Sequence, residues 1–140
     1  MSAKNFALTY PKCDVSKEVA AENLLEKYDY KVKRYCFARE LHADGDPHLH
    51  VYIEFSEKFD TRSPSCFDFI TGQHGNYQTC VSPKHWIAYM MKEDDEPVTN
   101  FDAKVVARTG KRKFDVIARR LKEGESISDV NEDEPGFVLH

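Results

Sequence analysis

The sequence contains no apolar run long enough to cross a bilayer and no apolar leader of the kind that directs secretion. These absences disfavour membrane-spanning and secreted proteins, so we expect a soluble intracellular protein without a membrane partner. The 140 residues, of which 41% are hydrophobic, are enough to bury one ordinary core.

Closely spaced cysteine pairs are also missing. The chain has 4 cysteines, at Cys13, Cys36, Cys66 and Cys80, and none of them forms a Cys-x-x-Cys pair. This spacing disfavours a zinc cluster and a disulfide framework, so we expect reduced and mostly packed thiols. A glycine-rich phosphate loop ending in Gly-Lys-Ser or Gly-Lys-Thr is absent as well. We therefore expect no ATP hydrolysis by this chain and no nucleotide cofactor.

Positive charge is not in excess, since the formal net charge is -4. This value argues mildly against a protein that coats nucleic acid, because phosphate neutralisation usually needs a basic surplus. The charges are unevenly distributed, however, with residues 104–122 strongly basic and residues 123–134 acidic. A local cationic face can therefore coexist with the negative total.

Residues 48–55 alternate strictly between polar and apolar side chains. A period of two predicts a half-buried β-strand. The apolar members, which would face a core, are Leu49, Val51, Ile53 and Phe55. His48 and His50 then stand side by side on the opposite, accessible face, roughly 7 Å apart. Imidazole is the commonest protein metal ligand, so the two rings can turn toward one shared cation.

A turn-forming cluster at residues 43–47 joins this strand to a preceding β-prone run, Arg34 to Leu41. The hairpin would place Glu40 beside His48, so that a carboxylate and two imidazoles meet on one patch. A mixture of carboxylate and imidazole donors favours Mn²⁺, or the more abundant Mg²⁺, whereas a site made only of thiolates would favour zinc. The alternative interpretation is that His48 and His50 are two solvated surface residues.

Ser82-Pro83 is typical of a helix start, with serine as N-cap and proline at the first helical position. On this helix His85, Tyr89 and Lys92 share one face. A tyrosine hydroxyl is a poor nucleophile and needs a general base or a metal-polarised electrophile. The patch of carboxylate and histidines would hold the metal that polarises the electrophile. Lys92 could stabilise charge on a phosphoryl group. The alternative is a half-buried surface tyrosine beside a solvated lysine.

The remaining segments alternate between strand and helix patterns. They are a strand over Asn5–Pro11, a helix from the N-cap Ser16 to about Tyr30, β-like runs over Cys66–Ile70 and Tyr77–Val81, a linker over Asn100–Lys104 and an amphipathic helix over Phe114–Leu121. Residues 56–63 are charged or turn-like and predict a loop or a short edge strand. We expect an α+β domain with a central antiparallel sheet of about five strands, packed helices, and a site on the exposed side of the sheet.

Taken together, these residues resemble the endonuclease domain of rolling-circle replication initiators, the HUH (His-hydrophobe-His) superfamily. The resemblance is greatest to the Rep proteins of geminiviruses and related small circular single-stranded DNA viruses. The matching motifs are Leu8-Thr9-Tyr10-Pro11 as the first motif, His48-Leu49-His50 as the metal motif, and Tyr89-Met90-Met91-Lys92 as the Tyr-x-x-Lys motif. Glu40 matches the family's carboxylate ligand, whereas Ala7 and Cys66 depart from its pattern. The resemblance covers about residues 4 to 95.

The resemblance implies a ferredoxin-like (RRM-like) fold and a division of the chain. Residues 1–100 would form the nicking and joining domain. Residues 101–140 would be a basic helix and an acidic tail, the start of a linker or oligomerisation region toward an absent helicase domain. The nicking domain itself is expected to be monomeric, although the full-length protein could oligomerise.

The resemblance also implies a chemistry and a partner. Glu40, His48 and His50 would hold a divalent ion, Mn²⁺ or Mg²⁺, while Tyr89 attacks a phosphodiester and Lys92 stabilises charge or donates a proton. The products would be a 5′-phosphotyrosine link and a free 3′-hydroxyl for rolling-circle replication. The implied partner is single-stranded DNA at an origin stem-loop, and the implied location is the host nucleus.

DNA specificity is expected from bases stacked on exposed aromatic rings such as Tyr10 or Tyr52. Arg62, Asn76 and Gln78 are candidate polar contacts, and each could instead be structural. Two other classes stay open. One is a non-catalytic single-stranded nucleic-acid-binding module with an RRM-like sheet, and the other is a metal-dependent hydrolase in which water attacks. Only the nicking enzyme would form a covalent adduct with DNA.

Overall fold

The structure is a computed structural model that describes residues 1–41, 45–70 and 73–108. The strands are β1 (Ser2–Tyr10), β2 (Val32–Leu41), β3 (Pro47–Asp60), β4 (Asn76–Thr79) and β5 (Val98–Thr99). The helices are α1 (Lys17–Tyr28), followed by a 3₁₀ turn over Asp29–Lys31, and α2 (Pro83–Glu93). Residues 103–108 are helical as well. The predicted helix over Phe114–Leu121 and most of the predicted basic and acidic segments lie outside the described residues.

The strands form one sheet in the order β4-β1-β3-β2-β5, and every pair in it is antiparallel. The predicted α+β class with a five-stranded antiparallel sheet is therefore confirmed. Strands β1 and β2 both pair with β3, so α1 crosses over β3 to connect them. This split β-α-β arrangement is the one found in ferredoxin-like folds.

One side of the sheet, called the first face, carries most of the hydrophobic core. The four apolar side chains predicted to point inward from β3, at positions 49, 51, 53 and 55, are all buried there. Phe6 and Leu8 of β1 join them, and Leu24 and Tyr28 of α1 cover the cluster. The alternation of β3 thus predicted the orientation of the sheet correctly.

The opposite side, called the second face, is also covered in part. Ile87 and Met90 of α2 pack against Cys36, Ala38 and Tyr52 of the sheet. The two helices therefore lie on opposite sides of the sheet, α1 on the first face and α2 on the second. The predicted exposed side is instead a face across which α2 lies, which brings helix residues onto the histidine strand.

The helix ends follow ordinary capping chemistry. Ser16 is the N-cap of α1, as predicted, because its hydroxyl accepts a hydrogen bond from Val19 N–H at 3.1 Å. Helix α2 begins at Pro83 after Ser82, as predicted, although the Ser82 hydroxyl contacts His85 Nδ1 rather than a backbone N–H. Across the described ranges, no helix has both the length and the apolarity needed to span a membrane.

Strand β3 is longer than the alternating pattern indicated. It continues through the charged residues to Asp60, because the start of β1 pairs with it there, Ser2 opposite Asp60 and Ala3 opposite Phe59. A bulge between Ala3 and Asn5 separates this pairing from the main register. The predicted loop or short edge strand is thus the end of a central strand, and Phe59 reaches the core from it.

Residues 66–70 continue from a turn at residues 64–67 into irregular backbone, and they do not form the predicted strand. Their apolar side chains still close the core, since Phe67 and Ile70 are buried. Tyrosine hydroxyls satisfy the backbone carbonyls that a strand partner would have bound. Tyr10 Oη donates to the Phe67 carbonyl at 2.5 Å, and Tyr28 Oη donates to the Cys66 carbonyl at 2.6 Å. Side-chain donors thus take the place of a β-ladder.

The segment around residue 100 packs on the domain, whereas a linker was predicted. The N–H of Tyr35 donates to Asn100 Oδ1 at 2.9 Å, and Asn100 Nδ2 donates to the Lys33 carbonyl at 3.1 Å. The Arg34 guanidinium lies 4.8 Å from the centre of the Phe101 ring. Because Ala103 is buried on the second face, the packed structure extends past the predicted boundary at residue 100.

Gly75 lies where a side chain has no room. A Cβ at this position would come within 2.4 Å of the Thr9 carbonyl oxygen and 3.0 Å of Tyr10 Cδ1. We expect Gly75→Ala to lower the free energy of unfolding by roughly 2–3 kcal/mol, because the obstacle is paired backbone. Denaturant unfolding measures the change. The control is Gly45→Ala, where the space is open and only the positive φ of 86° is strained. A Gly75 variant as stable as the Gly45 variant would contradict the prediction.

Candidate active site

The hairpin of β2 and β3 brings the predicted ligand residues to the second face. Its register pairs Glu40 with His48 and Ala38 with His50. On the other side of β3, Thr9 of β1 pairs with His50. One carboxylate and two imidazoles therefore start from adjacent backbone positions, as the sequence predicted.

His50 is the most enclosed of these side chains, with an exposed fraction of 6%. Its Nδ1 lies 3.1 Å from Thr9 Oγ1, and its Nε2 lies 2.5 Å from Glu40 Oε2. Burial lowers the pKa of His50, and this effect outweighs the opposite influence of the Glu40 carboxylate. A neutral imidazole is the form that binds metals. Thr9, which the sequence analysis named only as part of the family's first motif, orients the ring.

Tyr89 of α2 stands over this pair. Its hydroxyl donates a hydrogen bond to the Glu40 carboxylate, 3.2 Å from Oε1 and 3.0 Å from Oε2, and its ring centre lies 5.5 Å from that of His50. Tyr89 is 41% exposed, so the residue borders on solvent. Burial, followed by the hydrogen bond to Glu40, raises the pKa of Tyr89 to about 12. The phenol is therefore protonated at neutral pH and needs activation to attack.

Trp86 supports the position of Tyr89, and the sequence analysis missed it. The two rings are nearly parallel, at 11° with centres 5.7 Å apart, while the Trp86 ring meets His50 edge-on at 5.3 Å. The indole Nε1–H donates to the Val51 carbonyl at 3.0 Å, which attaches the helix to β3. The spacing of three residues between Trp86 and Tyr89 on one helix was the available signal.

The other predicted residues of α2 are not part of this contact set. Lys92 is exposed in the last turn of α2. It is three residues after Tyr89, so the two residues lie on the same side of the helix. His85 lies at the start of α2, where its Nδ1 contacts the Ser82 hydroxyl. The role predicted for Lys92 stays a prediction.

The donor types at this patch fit a divalent cation, because carboxylate and neutral imidazole are ligands for Mn²⁺ and Mg²⁺-class ions. Glu40 and His50 are in direct contact, and His48 is opposite Glu40 in the strand register. Nevertheless, within the part of the chain that the structure describes, no three His, Cys, Asp or Glu side chains have a metal-holding arrangement. The assignment of Glu40, His48 and His50 as the ligands of such an ion therefore stays a prediction.

Two of the predicted DNA contacts are buried, and their expected exposure was wrong. Tyr10 points into the first face, where its hydroxyl is bound to the Phe67 carbonyl. Tyr52 is on the second face but lies beneath α2 and the residue 100 segment, with its hydroxyl donating to Asn5 Oδ1 at 2.6 Å. Fully buried rings cannot stack on bases, so these two residues lose the role predicted for them.

The three polar candidates are exposed but lie in different places. Asn76 and Gln78 of β4 pair with Thr9 and Ala7, so they belong to the second face. Asn76 is in line with His50 and Gln78 is in line with Tyr52. Arg62 follows the distal end of β3, near the first residues of β1, at the opposite end of the strand from His50. The structure thus brings Asn76 and Gln78 toward the site and leaves Arg62 away from it.

Asp94, immediately after α2, gives the domain an acid-sensitive contact. Burial would raise the pKa of its carboxyl, but hydrogen bonds from Lys17 Nζ and the Arg39 and Glu96 N–H groups outweigh burial and lower it. A lowered pKa means that the stabilisation is present above the unfolded value of about 3.9 and is lost as the pH falls through the folded value. We expect Asp94→Asn to reduce the melting temperature by roughly 5 °C at pH 7. Thermal melts should show this difference vanishing at acid pH, and a difference that persists there would contradict the assignment.

Comparison with known proteins agrees with this geometry. Residues 1–103 match the family described as the geminivirus Rep catalytic domain. The chain is 30% identical over 145 residues to the replication-associated protein A of Chloris striate mosaic virus, covering 96% of this chain and 49% of that protein. It is 34% identical over 96 residues to the replication-associated protein A of Miscanthus streak virus (isolate 91), covering 68% of this chain and 44% of that protein.

The family match covers the whole described sheet and both helices α1 and α2, including every residue of the patch around Tyr89. The chain spans about half the length of these curated relatives. The chain belongs to the family of geminivirus Rep catalytic domains.

Proposed function

We propose that this domain nicks and rejoins single-stranded DNA at a replication origin by attack of Tyr89 on a phosphodiester. The observation that carries the proposal is the hydrogen bond from the Tyr89 hydroxyl to Glu40, whose carboxylate also contacts His50. A tyrosine hydroxyl aimed at the same carboxylate as a neutral imidazole has little structural purpose at a 41% exposed position. It is, however, the arrangement that a tyrosine nucleophile beside a metal patch requires.

The bond changes in this reaction balance without a further reactant. The phenol proton leaves along the hydrogen bond to Glu40 as Tyr89 Oη bonds to phosphorus. The bond from phosphorus to the 3′ oxygen breaks and that oxygen takes up one proton, so a 5′-phosphotyrosine and a free 3′-hydroxyl result with no net change in protons. Glu40 orients the phenol by accepting its hydrogen bond, and His50 holds the Glu40 carboxylate in turn. Lys92 is proposed to stabilise the phosphoryl charge or to protonate the departing 3′ oxygen. The reverse attack by a 3′-hydroxyl rejoins DNA, so the exchange needs no ATP.

A divalent ion held by Glu40, His48 and His50, Mn²⁺ or Mg²⁺, would polarise the scissile phosphate when bound. The residues around it serve to keep those donors in place. Thr9 accepts or donates at His50 Nδ1, which directs Nε2 toward Glu40. This is the second hydrogen bond that metal-binding histidines ordinarily have.

The DNA strand is proposed to lie along the second face, where β4 leads to the site. Asn76 and Gln78 are exposed on this path, and Asn76 is opposite Thr9, which in turn is opposite His50. Hydrogen bonds from these side chains can read unstacked bases. The domain would thus position a single strand with its phosphate beneath Tyr89.

The buried tyrosines count against the binding-only alternative. A module of the RNA-recognition type binds bases by stacking them on exposed sheet aromatics. Tyr10 and Tyr52 are fully buried, and α2 lies across the face that such a module would use. A non-catalytic module also gives no reason for the contact between Tyr89 and Glu40.

The test uses the protein with single-stranded stem-loop oligonucleotides of randomised loop sequence and Mn²⁺, analysed on denaturing gels. We expect a 3′-labelled oligonucleotide to leave its label on the protein, and a 5′-labelled one to yield a shorter, free product. A chelator should abolish both. Cleavage without a labelled protein would favour the hydrolase in which water attacks, and binding without cleavage would favour the binding module.

A further inference from the structure

The end of α2 is fastened to the strand that carries the site by the carboxylate of Asp94. Its Oδ2 accepts hydrogen bonds from the backbone N–H of Arg39 at 2.9 Å and from Lys17 Nζ at 2.7 Å. Its Oδ1 accepts the N–H of Glu96 at 3.0 Å. A single side chain therefore joins α2 to β2 and to the first residue of α1.

This contact differs from an ordinary surface ion pair. The side chains of Lys17 and Asp94 are only 19% and 12% exposed, respectively. Lys17 Nζ also donates to the Glu96 carbonyl at 2.7 Å, so the lysine bridges both ends of the short turn after α2. An isolated exposed pair contributes little to any geometry, but a shielded carboxylate with three donors holds a fixed position.

The strand side of the contact is held as firmly as the helix side. While the Arg39 N–H binds Asp94, the Arg39 guanidinium donates to the carbonyl of Cys13 at 2.6 Å and to that of Val15. Glu40 is the next residue along β2. The backbone from which the Glu40 carboxylate extends is therefore connected directly to the end of the helix that carries Tyr89.

We propose that Asp94 is a positioning residue for the nicking reaction, which sets the distance between the Glu40 carboxylate and the Tyr89 hydroxyl. This inference rests on the proposed function of Tyr89. The Tyr89 hydroxyl is 3.0 Å from Glu40 Oε2, and that contact joins α2 to β2. A misplacement of about 1 Å between reacting groups can slow a reaction on the order of 100-fold. Trp86 holds the middle of α2, and Asp94 holds its end.

The experiment compares wild type, Asp94→Ala and Asp94→Asn with saturating single-stranded stem-loop DNA and Mn²⁺, below the melting temperatures of all proteins. We expect Asp94→Ala to slow single-turnover adduct formation roughly 10- to 100-fold, while the Kd for DNA changes less than threefold. Asp94→Asn retains an oxygen for the Arg39 N–H and should fall between the two. If Asp94→Ala does not fold, a slowing of more than threefold in Asp94→Asn supports the proposal.

A second readout reports the helix without DNA. Trp86 is the single tryptophan of the chain and stacks on Tyr89, so Asp94→Ala should shift its fluorescence emission. Phe59→Leu is the control for lost stability, because Phe59 packs on the first face, away from α2. It should leave both emission and rate unchanged.

The outcomes separate this inference from the function on which it rests. A rate within threefold of wild type in Asp94→Ala, or in Asp94→Asn where Asp94→Ala does not fold, overturns the positioning role, as does an equal slowing in Phe59→Leu. In either case the proposed function stands, provided that wild type forms an adduct. A wild type that forms no adduct with any loop sequence refutes both.

Discussion

Tyr89→Phe is expected to abolish the covalent protein–DNA adduct and to leave DNA binding intact. The substitution removes the one oxygen that Glu40 orients, and phenylalanine keeps the ring that packs between Trp86 and His50. Loss of a nucleophile typically costs a factor on the order of 10⁴ or more in rate. Denaturing gels measure the adduct, and fluorescence anisotropy of labelled DNA measures the Kd, which should change less than about threefold.

The matched control for this prediction is Tyr30→Phe. Tyr30 is 84% exposed in the turn after α1, on the opposite side of the sheet from α2, so its hydroxyl should not affect the reaction. An adduct of undiminished yield in Tyr89→Phe would show that another residue is the nucleophile. A DNA affinity lost together with the adduct would instead assign Tyr89 to binding.

The part of the site built by one hairpin was predictable from sequence. Residues 48–55 of β3 have an unbroken period of two, so the faces of His48 and His50 follow from local pattern alone. The turn-forming cluster predicted at residues 43–47 indicates how the two strands pair, and the observed register opposes Glu40 and His48 as expected. Local patterning and one short connection were sufficient here.

The burial of Tyr10 was predictable from its strand, whereas that of Tyr52 was not. Tyr10 shares the parity of Phe6 and Leu8, which points it to the first face, so its predicted exposure contradicted the pattern of β1. Tyr52 has the parity of His50, and it is covered because α2 and the residue 100 segment pack on that face. The period of one strand gives the direction of a side chain and says nothing about what lies above it.

The contacts of Asp94 at the end of α2 are long-range in sequence and left no local pattern. Asp94 stands in an acidic run that reads as a solvated helix end, yet it binds Lys17 and Arg39. Residues 66–70 have the composition of a strand but form none, and the hydroxyls of Tyr10 and Tyr28 bind the carbonyls of Phe67 and Cys66 instead. Such contacts follow from the packing of separate elements, which sequence periodicity does not encode.

Glu40→Gln is expected to slow adduct formation by a factor on the order of 10² to 10³. Glutamine has nearly the same shape as glutamate but lacks the negative charge that favours binding of a divalent ion. It also has one acceptor oxygen, whereas the Glu40 carboxylate contacts both Tyr89 and His50. The same change should weaken Mn²⁺ binding roughly 10-fold or more, which paramagnetic resonance of free Mn²⁺ measures without DNA. A lost adduct with unchanged Mn²⁺ affinity would remove Glu40 from the ligand set and leave it as the residue that orients the phenol.

The control for this change is Glu57→Gln, which removes the same charge from an exposed position of β3 beyond the core strands' main register. Both proteins have the same net charge, so a general loss of cation or DNA attraction would affect them equally. Because only Glu40 faces Tyr89 and His50, only its substitution should alter the adduct rate. Equal slowing in both variants would mean that surface charge, and not the geometry around Tyr89, controls the reaction.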